Sequence, residues 1–329
     1  MRQVNIGIIG CGKIAETHAQ ALLKCDDAAL VWASDIDERK ARQFAQNYNI
    51  PNYSKNHLEM LKSPDVDAVL VCTPSHLHKD IVIESAKAGK HVFCEKPISL
   101  SLKDTSEMID ACAEHSVHLM IGFVRRKDFQ WLKFKEIVDD GVLGRPVIWR
   151  FIAGTEGPSS IWRFEAGSVV TEWAIHLFDF ASFTFGNVKS VDSSVTSLKS
   201  SDKAIDTANV VVTYEHDDQL VLSLTWGLPE GVKSNIFIDA FGAKGVLLWE
   251  ETLTQNYEVL PEQMSGKFMY RGPNGVESII EYQRNDMYFD QAEYFINCIK
   301  SNRAPIPGGL EGRLALEAAC KVLETGRKL

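Results

Sequence analysis

The sequence predicts an α/β chain in two parts, a doubly wound parallel sheet followed by an α+β domain with a large, open, mostly antiparallel sheet. Three observations predict this. The opening residues run as apolar strand, glycine turn, helix and second strand. Strand and helix signals then alternate as far as Gly122. Beyond Pro146, strand signals follow one another across short loops with little helix between them. The expected division is 1–122 and 123–329.

The opening stretch carries the first chemistry. Val4 to Ile9 is a buried apolar run, Gly10-Cys11-Gly12-Lys13-Ile14-Ala15 is a sharp turn, and a helix-period segment reaches about Lys24. Leu30 to Ser34 reads as the second strand and ends on Asp35. This is the G-x-G-x-x-A fingerprint of a Rossmann unit in its strand–turn–helix–strand context. Gly10 permits the turn, Gly12 lets the backbone approach a pyrophosphate, and the small Ala15 lets the helix pack close. Lys13 and Ile14 open that helix, whose N-terminal N–H groups and dipole face the phosphates. Asp35 stands where a carboxylate accepts from both ribose hydroxyls and repels a 2′-phosphate, and Asp37 and Glu38 add negative charge. NAD is therefore the expected cofactor and NADP the poorer fit, with Arg39 and Lys40 a partial compensation.

Composition bounds the rest. The chain has 329 residues, enough for two domains, with 45% hydrophobic and 24% charged residues, as in a soluble globular protein. A formal charge of −9 argues against nucleic acid or an anionic membrane as partner. No apolar run approaches membrane-spanning length, and Met1-Arg2-Gln3 leads into the first strand without a targeting segment. The seven cysteines show no C-x-x-C pair or metal spacing, which suits reduced thiols in a cytoplasm.

The first part continues with helices expected over 37–47, 57–61, 81–88 and 105–115. Further strands are expected over 66–72, 91–94 and 119–122. Ligands bind beyond the carboxyl ends of such strands. That singles out Thr73, Pro74 and His78 after one strand and Glu95-Lys96-Pro97 after the next. The pair His76 and His78 has no carboxylate or thiol at ligand spacing, so no metal is expected. Pro97 holds Lys96 out of helical geometry, extended at a strand end over the cleft, where an amine is placed for proton transfer.

Together, G-x-G-x-x-A, the acid ending the second strand, Thr73-Pro74-x-x-x-His78 and Glu95-Lys96-Pro97 resemble the glucose–fructose oxidoreductase/inositol dehydrogenase (Gfo/Idh/MocA) family. Ile121 to Arg126 resembles that family's link between domains, and the resemblance covers nearly the whole chain. It implies a Rossmann domain followed by an open-sheet domain. It also implies paired sheet faces, hence a homodimer or homotetramer.

In the second part a helix is expected over 129–139, stopped by Gly141. Strands are expected over 146–151, 188–198, 207–214, 220–226, 234–241 and 246–249, with closing helices over 287–300 and 310–327. The chemistry is expected at Glu172-Trp173-Ala174-Ile175-His176-Leu177-Phe178-Asp179. On a helix this spacing gathers Glu172, His176 and Asp179 on one face, with the imidazole between two carboxylates that support a general base. A metal held by the three is the weaker reading, since no second histidine joins them. The family's pattern here is Asp-x-Gly-x-His-x-x-Asp, with the histidine as acid/base. His176 and Asp179 match it, whereas Glu172 and Ala174 depart from it, which bears on the substrate. Arg126 and Arg163 are candidates for substrate contact, and Trp162, Trp173 and Trp226 for stacking on a ring.

The resemblance implies an NAD(P)-dependent oxidoreductase acting on a secondary alcohol of a cyclic polyol or sugar. His176 would act as acid/base, Lys96 and Glu172 would assist, and Asp179 would support them at the substrate. Two alternatives stand beside it: a trans-dihydrodiol or other cyclic-diol dehydrogenase, and a nicotinamide-binding sensor without turnover.

Overall fold

The structure is a computed structural model that describes residues 2–157, 168–199, 205–232, 234–254 and 264–328. It forms two compact units, and these divide the chain differently from 1–122 and 123–329. The first unit holds residues 1–127 and also 286–316, and the second holds 128–285 and 317–329. The sequence boundary misses a returning segment. Helix Met287–Lys300 packs back on the first sheet through Ala292, Phe295 and Ile296, which join Val4, Ile6, Ile8 and Phe93 in one apolar core.

In the first unit β1 (Val4–Ile9), α1 (Lys13–Leu22), β2 (Ala28–Ser34), α2 (Glu38–Asn47), β3 (Asn52–Ser54), α3 (His57–Leu61), β4 (Ala68–Val71), α4 (His78–Lys87), β5 (His91–Cys94), α5 (Leu102–Glu114) and β6 (Leu119–Ile121) alternate. The six strands pair in parallel in the order β3-β2-β1-β4-β5-β6. Chain order reverses at β1, with β2 on one side and β4 on the other, so the crevice beyond these strand ends is the sheet's topological switch point. Ala68, Val69, Leu70 and Val71 are all buried, as expected of a strand covered on both faces. α4 begins at His78, not at 81, after a 3-10 turn over Ser75–Leu77. α5 begins at Leu102, not at 105, because Ser101 caps it by accepting from the Asp104 N–H.

The second unit opens with α6 (Phe129–Asp139), capped by Asp128. It continues through β7 (Ile148–Gly154), α7 (Ile175–Phe185), β8 (Val188–Thr196), β9 (Thr207–Tyr214), β10 (Gln219–Thr225), β11 (Phe237–Gly242) and β12 (Gly245–Leu248). A hairpin, β13 (Ser265–Arg271) and β14 (Glu277–Gln283), and the short β15 (Arg327–Lys328) complete the described strands. The sheet order is β14-β13-β12-β11-β7-β10-β9-β8-β15, antiparallel except where β7 meets β10 and β8 meets β15. Alternation sorts the faces of β7. Trp149, Phe151 and Ala153 are buried, while Ile152 stays exposed. Trp149 packs with Trp131 and Phe134 of α6, Phe180 of α7 and Trp249 in an aromatic core, each buried ring contributing roughly 1.5–3 kcal/mol.

Candidate functional site

The glycine turn after β1 leads directly into the N-terminus of α1. Gly10 sits at φ +90, and a Cβ there would stand 2.8 Å from the Cys72 carbonyl oxygen at the end of β4. Only glycine lets these two strand ends approach. Gly12 precedes α1 without a side-chain cap, and a Cβ built on it meets nothing within 4 Å. The N-terminus of this ten-residue helix is therefore left without a capping side chain and with open space beside Gly12. Lys13 reaches Glu16 at 3.1 Å, so its side chain lies along the helix surface. The two glycines make a paired prediction. Gly10→Ala is expected to destabilise the chain by about 1–3 kcal/mol. Gly12→Ala is expected to leave apo stability unchanged and weaken NAD binding, read by denaturant unfolding with and without NAD.

Asp35 is preorganised beside this turn. One carboxylate oxygen accepts from the Cys11 N–H at 2.9 Å and the other from the Asp37 N–H at 2.9 Å. The half-buried carboxylate is thus aimed by backbone donors with lone pairs still to offer. Arg39 is tied to Asp37 through both Nε and Nη2.

Two expected cofactor contacts are engaged elsewhere. His78 is 1% exposed, with Nε2 2.9 Å from the Thr73 carbonyl and Nδ1 2.9 Å from that of Pro97. It staples the β4 end to the β5 end and does not present a ring to a ligand. Burial pushes this imidazole below its usual range against the pull of those carbonyls. Glu95 is also buried. One oxygen lies 2.6 Å from His18 Nε2 and the other accepts from the Lys96 N–H at 3.0 Å. Burial alone would raise the Glu95 carboxyl, but the hydrogen bond and charge of His18, with Lys96, hold it below the usual carboxylate range. Lys96 itself is half-buried at the strand end, and Thr73 and Pro74 are likewise partly open. His18 escaped the sequence reading. Its signal was a polar residue in the buried α1 stripe Ala15, His18, Ala19, Leu22, where an imidazole must find a partner.

In the second unit, residues 170–174 form a π-helical turn that passes into α7 at Ile175. Glu172 lies in the π turn and His176 in the first α turn, so the helix expected over 172–179 changes period between them; π turns recur at functional sites. Glu172 and His176 are half-buried. Asp179 is 1% exposed, so it lies deeper than the substrate contact expected of it. Trp173 and Trp226 stack on each other, 6.5 Å between centroids and 14° apart in plane, and Phe151 meets Trp173 edge-on. Arg126 is half-buried in the turn after β6. Arg163 and Trp162 lie outside the described residues. Among the described residues, no group of three or more His, Cys, Asp or Glu has a metal-holding arrangement, and no helix is long and apolar enough to cross a membrane.

Comparison with known proteins agrees with this architecture. Residues 4–123 match the model of an oxidoreductase family described as an NAD-binding Rossmann fold, and residues 131–248 match a GFO/IDH/MocA C-terminal domain. Myo-inositol 2-dehydrogenase of Thermotoga maritima is 33% identical, across 99% of this chain and 98% of its own length. The scyllo-inositol 2-dehydrogenase (NAD(+)) of Bacillus subtilis is 24% identical, across 96% and 92%. A crystal structure of a probable dehydrogenase from Thermotoga maritima superposes with a TM-score of 0.79 at 30% identity, covering 98% of this chain and 96% of that one. Levoglucosan dehydrogenase in complex with NADH and levoglucosan shares the fold, with a TM-score of 0.84 at 19% identity over 98% and 97%.

Proposed function

The chain belongs to the Gfo/Idh/MocA family of oxidoreductases, a dehydrogenase with an NAD-binding Rossmann domain, and from that premise we propose that it oxidises a ring secondary alcohol of an inositol-type cyclic polyol. The observation that carries this reading is the match to a myo-inositol 2-dehydrogenase across nearly all of both chains. NAD, when bound, supplies the hydride acceptor. Gly10, Gly12 and the α1 N-terminus would hold its pyrophosphate, and Asp35 its ribose hydroxyls. His176 takes the proton of the hydroxyl being oxidised, Glu172 orients the imidazole or binds an adjacent hydroxyl, and Asp179 supports them. Lys96 holds the oxygen as charge develops on it and relays the proton.

The test is turnover by the purified chain with NAD or NADP against myo-inositol, scyllo-inositol, levoglucosan, aldoses and a cyclic diol, followed by reduced-nicotinamide absorbance. Inositol oxidation with NAD is expected. Oxidation confined to a non-inositol compound would overturn the substrate reading. Asp35→Ser removes the charge that discriminates against a 2′-phosphate. It is expected to shift the NADP-to-NAD ratio of kcat/KM upward by roughly tenfold to a hundredfold; an unchanged ratio would show that Asp35 does not select the cofactor.

A further inference from the structure

We propose that His18 is a positioning residue for Lys96, acting through Glu95. The inference rests on the reading of Lys96 as the amine that meets the substrate oxygen. The Glu95 carboxylate is confined on three sides. His18 Nε2, the nitrogen that must carry the proton toward a carboxylate, lies 2.6 Å from one oxygen. The backbone N–H of Lys96 donates to the other at 3.0 Å. Gly122, at the end of β6, lies so close behind that a Cβ there would stand 3.0 Å from the carboxylate. His18 is in turn held edge-on by Phe93 and Tyr288, centroids 5.0 and 5.6 Å away, and is 2% exposed.

A lysine carries its charge on a flexible four-carbon stem, so the position of Nζ depends first on where the backbone is fixed. Here the Lys96 backbone is tied to a buried carboxylate that His18, by donating to it, helps to keep ionised and in place. Without that donor, Glu95 takes up a proton or turns away, and the hydrogen bond that anchors the Lys96 backbone is weakened in the first case and lost in the second. The titratable and charged groups facing the pair are Lys96, His78, Cys72, Cys94 and Tyr288, with Arg125 beyond Tyr288.

The experiment compares His18→Leu, His18→Gln and Glu95→Gln with wild type and Lys96→Ala. It uses NAD with myo-inositol, scyllo-inositol and levoglucosan as probes. His18→Leu is expected to lower kcat roughly ten- to a hundredfold, with KM and NAD affinity little changed. It is also expected to add an acidic limb to the kcat profile, because an unpartnered buried carboxyl titrates at higher pH. His18→Gln keeps an N–H donor and is expected to restore most of the rate without that limb. If the Leu variant does not fold, Glu95→Gln carries the test. Its carboxamide carries no charge and holds the Lys96 N–H more weakly than a carboxylate does, so kcat falls without a new limb. Hydrogen exchange of the Lys96 amide is expected to quicken in the Leu and Glu95→Gln variants and to stay as in wild type with Gln at position 18. Wild-type kcat in His18→Leu or Glu95→Gln, or unchanged Lys96 amide exchange, overturns the proposal. Wild-type turnover in Lys96→Ala overturns the reading beneath it, and an inert wild-type chain on all three probes overturns both.

Discussion

His176→Ala is expected to lower kcat by about 10²–10⁴-fold, the range lost when a positioned general base is removed. The alcohol's hydroxyl proton must leave as the carbon–hydrogen bond breaks, and a neutral imidazole is the side chain matched to that task near neutral pH. His176 is half-buried at the start of α7, directly after the π turn that carries Glu172. Its neighbours Ala174, Ile175, Leu177 and Phe178 are buried and fix the helix, so removing the imidazole leaves the packing in place. NAD affinity should stay within about threefold, because the nucleotide cradle belongs to the first unit. A rate within a few-fold of wild type would remove His176 from the reaction. Glu172→Gln is expected to fall between the two, since an orienting carboxylate acts through the histidine.

Lys96→Met is expected to lower kcat by about 10²–10³-fold, with thermal stability nearly unchanged. Methionine keeps most of the aliphatic stem and removes the charge, so the comparison isolates the ammonium. The Lys96 backbone N–H survives the change and still donates to Glu95, and the His18–Glu95 pair stays buried beneath it. A loss in KM without loss in kcat would assign Lys96 to binding alone. A loss in melting temperature matching the activity loss would mark it as a structural ion-pair residue.

The parallel sheet was legible in the sequence because each of its central strands is a short apolar run closed by glycine, proline or a capping residue, and helices alternate with them. β13 and β14 were not anticipated. In β14 most residues are exposed, with Glu277 and Glu281 among them, so no apolar period marks the strand. Only Pro273-Asn274-Gly275 signalled the hairpin turn, with Asn274 at φ 58. β3 is a three-residue edge with two exposed positions and no pattern to read. The return of residues 286–316 to the first unit is a long-range packing fact, invisible to local periodicity. At the site, sequence spacing placed Gly10 in a tight turn, which its φ of +90 and the close Cys72 carbonyl match, and put Asp35 at the end of the second strand beside that turn. It could not separate residues facing a ligand from those buried beneath. His78 and Glu95 both sit in motifs at strand ends, yet their polar atoms close on the protein, and only coordinates reveal His18 as the partner of Glu95. The spacing of Glu172, His176 and Asp179 suggested one face of a regular helix. The π turn and the burial of Asp179 change that arrangement, because helix period and depth are set by packing in the second unit.

The most direct measurement follows a label. Myo-inositol bearing deuterium on the ring carbon to be oxidised is incubated with the chain and NAD, and the reduced nucleotide is weighed by mass spectrometry. Deuterium recovered in the reduced nucleotide, with turnover slowed relative to unlabelled inositol and absent in His176→Ala, is the expected result. Deuterium lost to water, or no reduced nucleotide from any inositol while NAD still binds, would contradict oxidation of a ring alcohol by this chain.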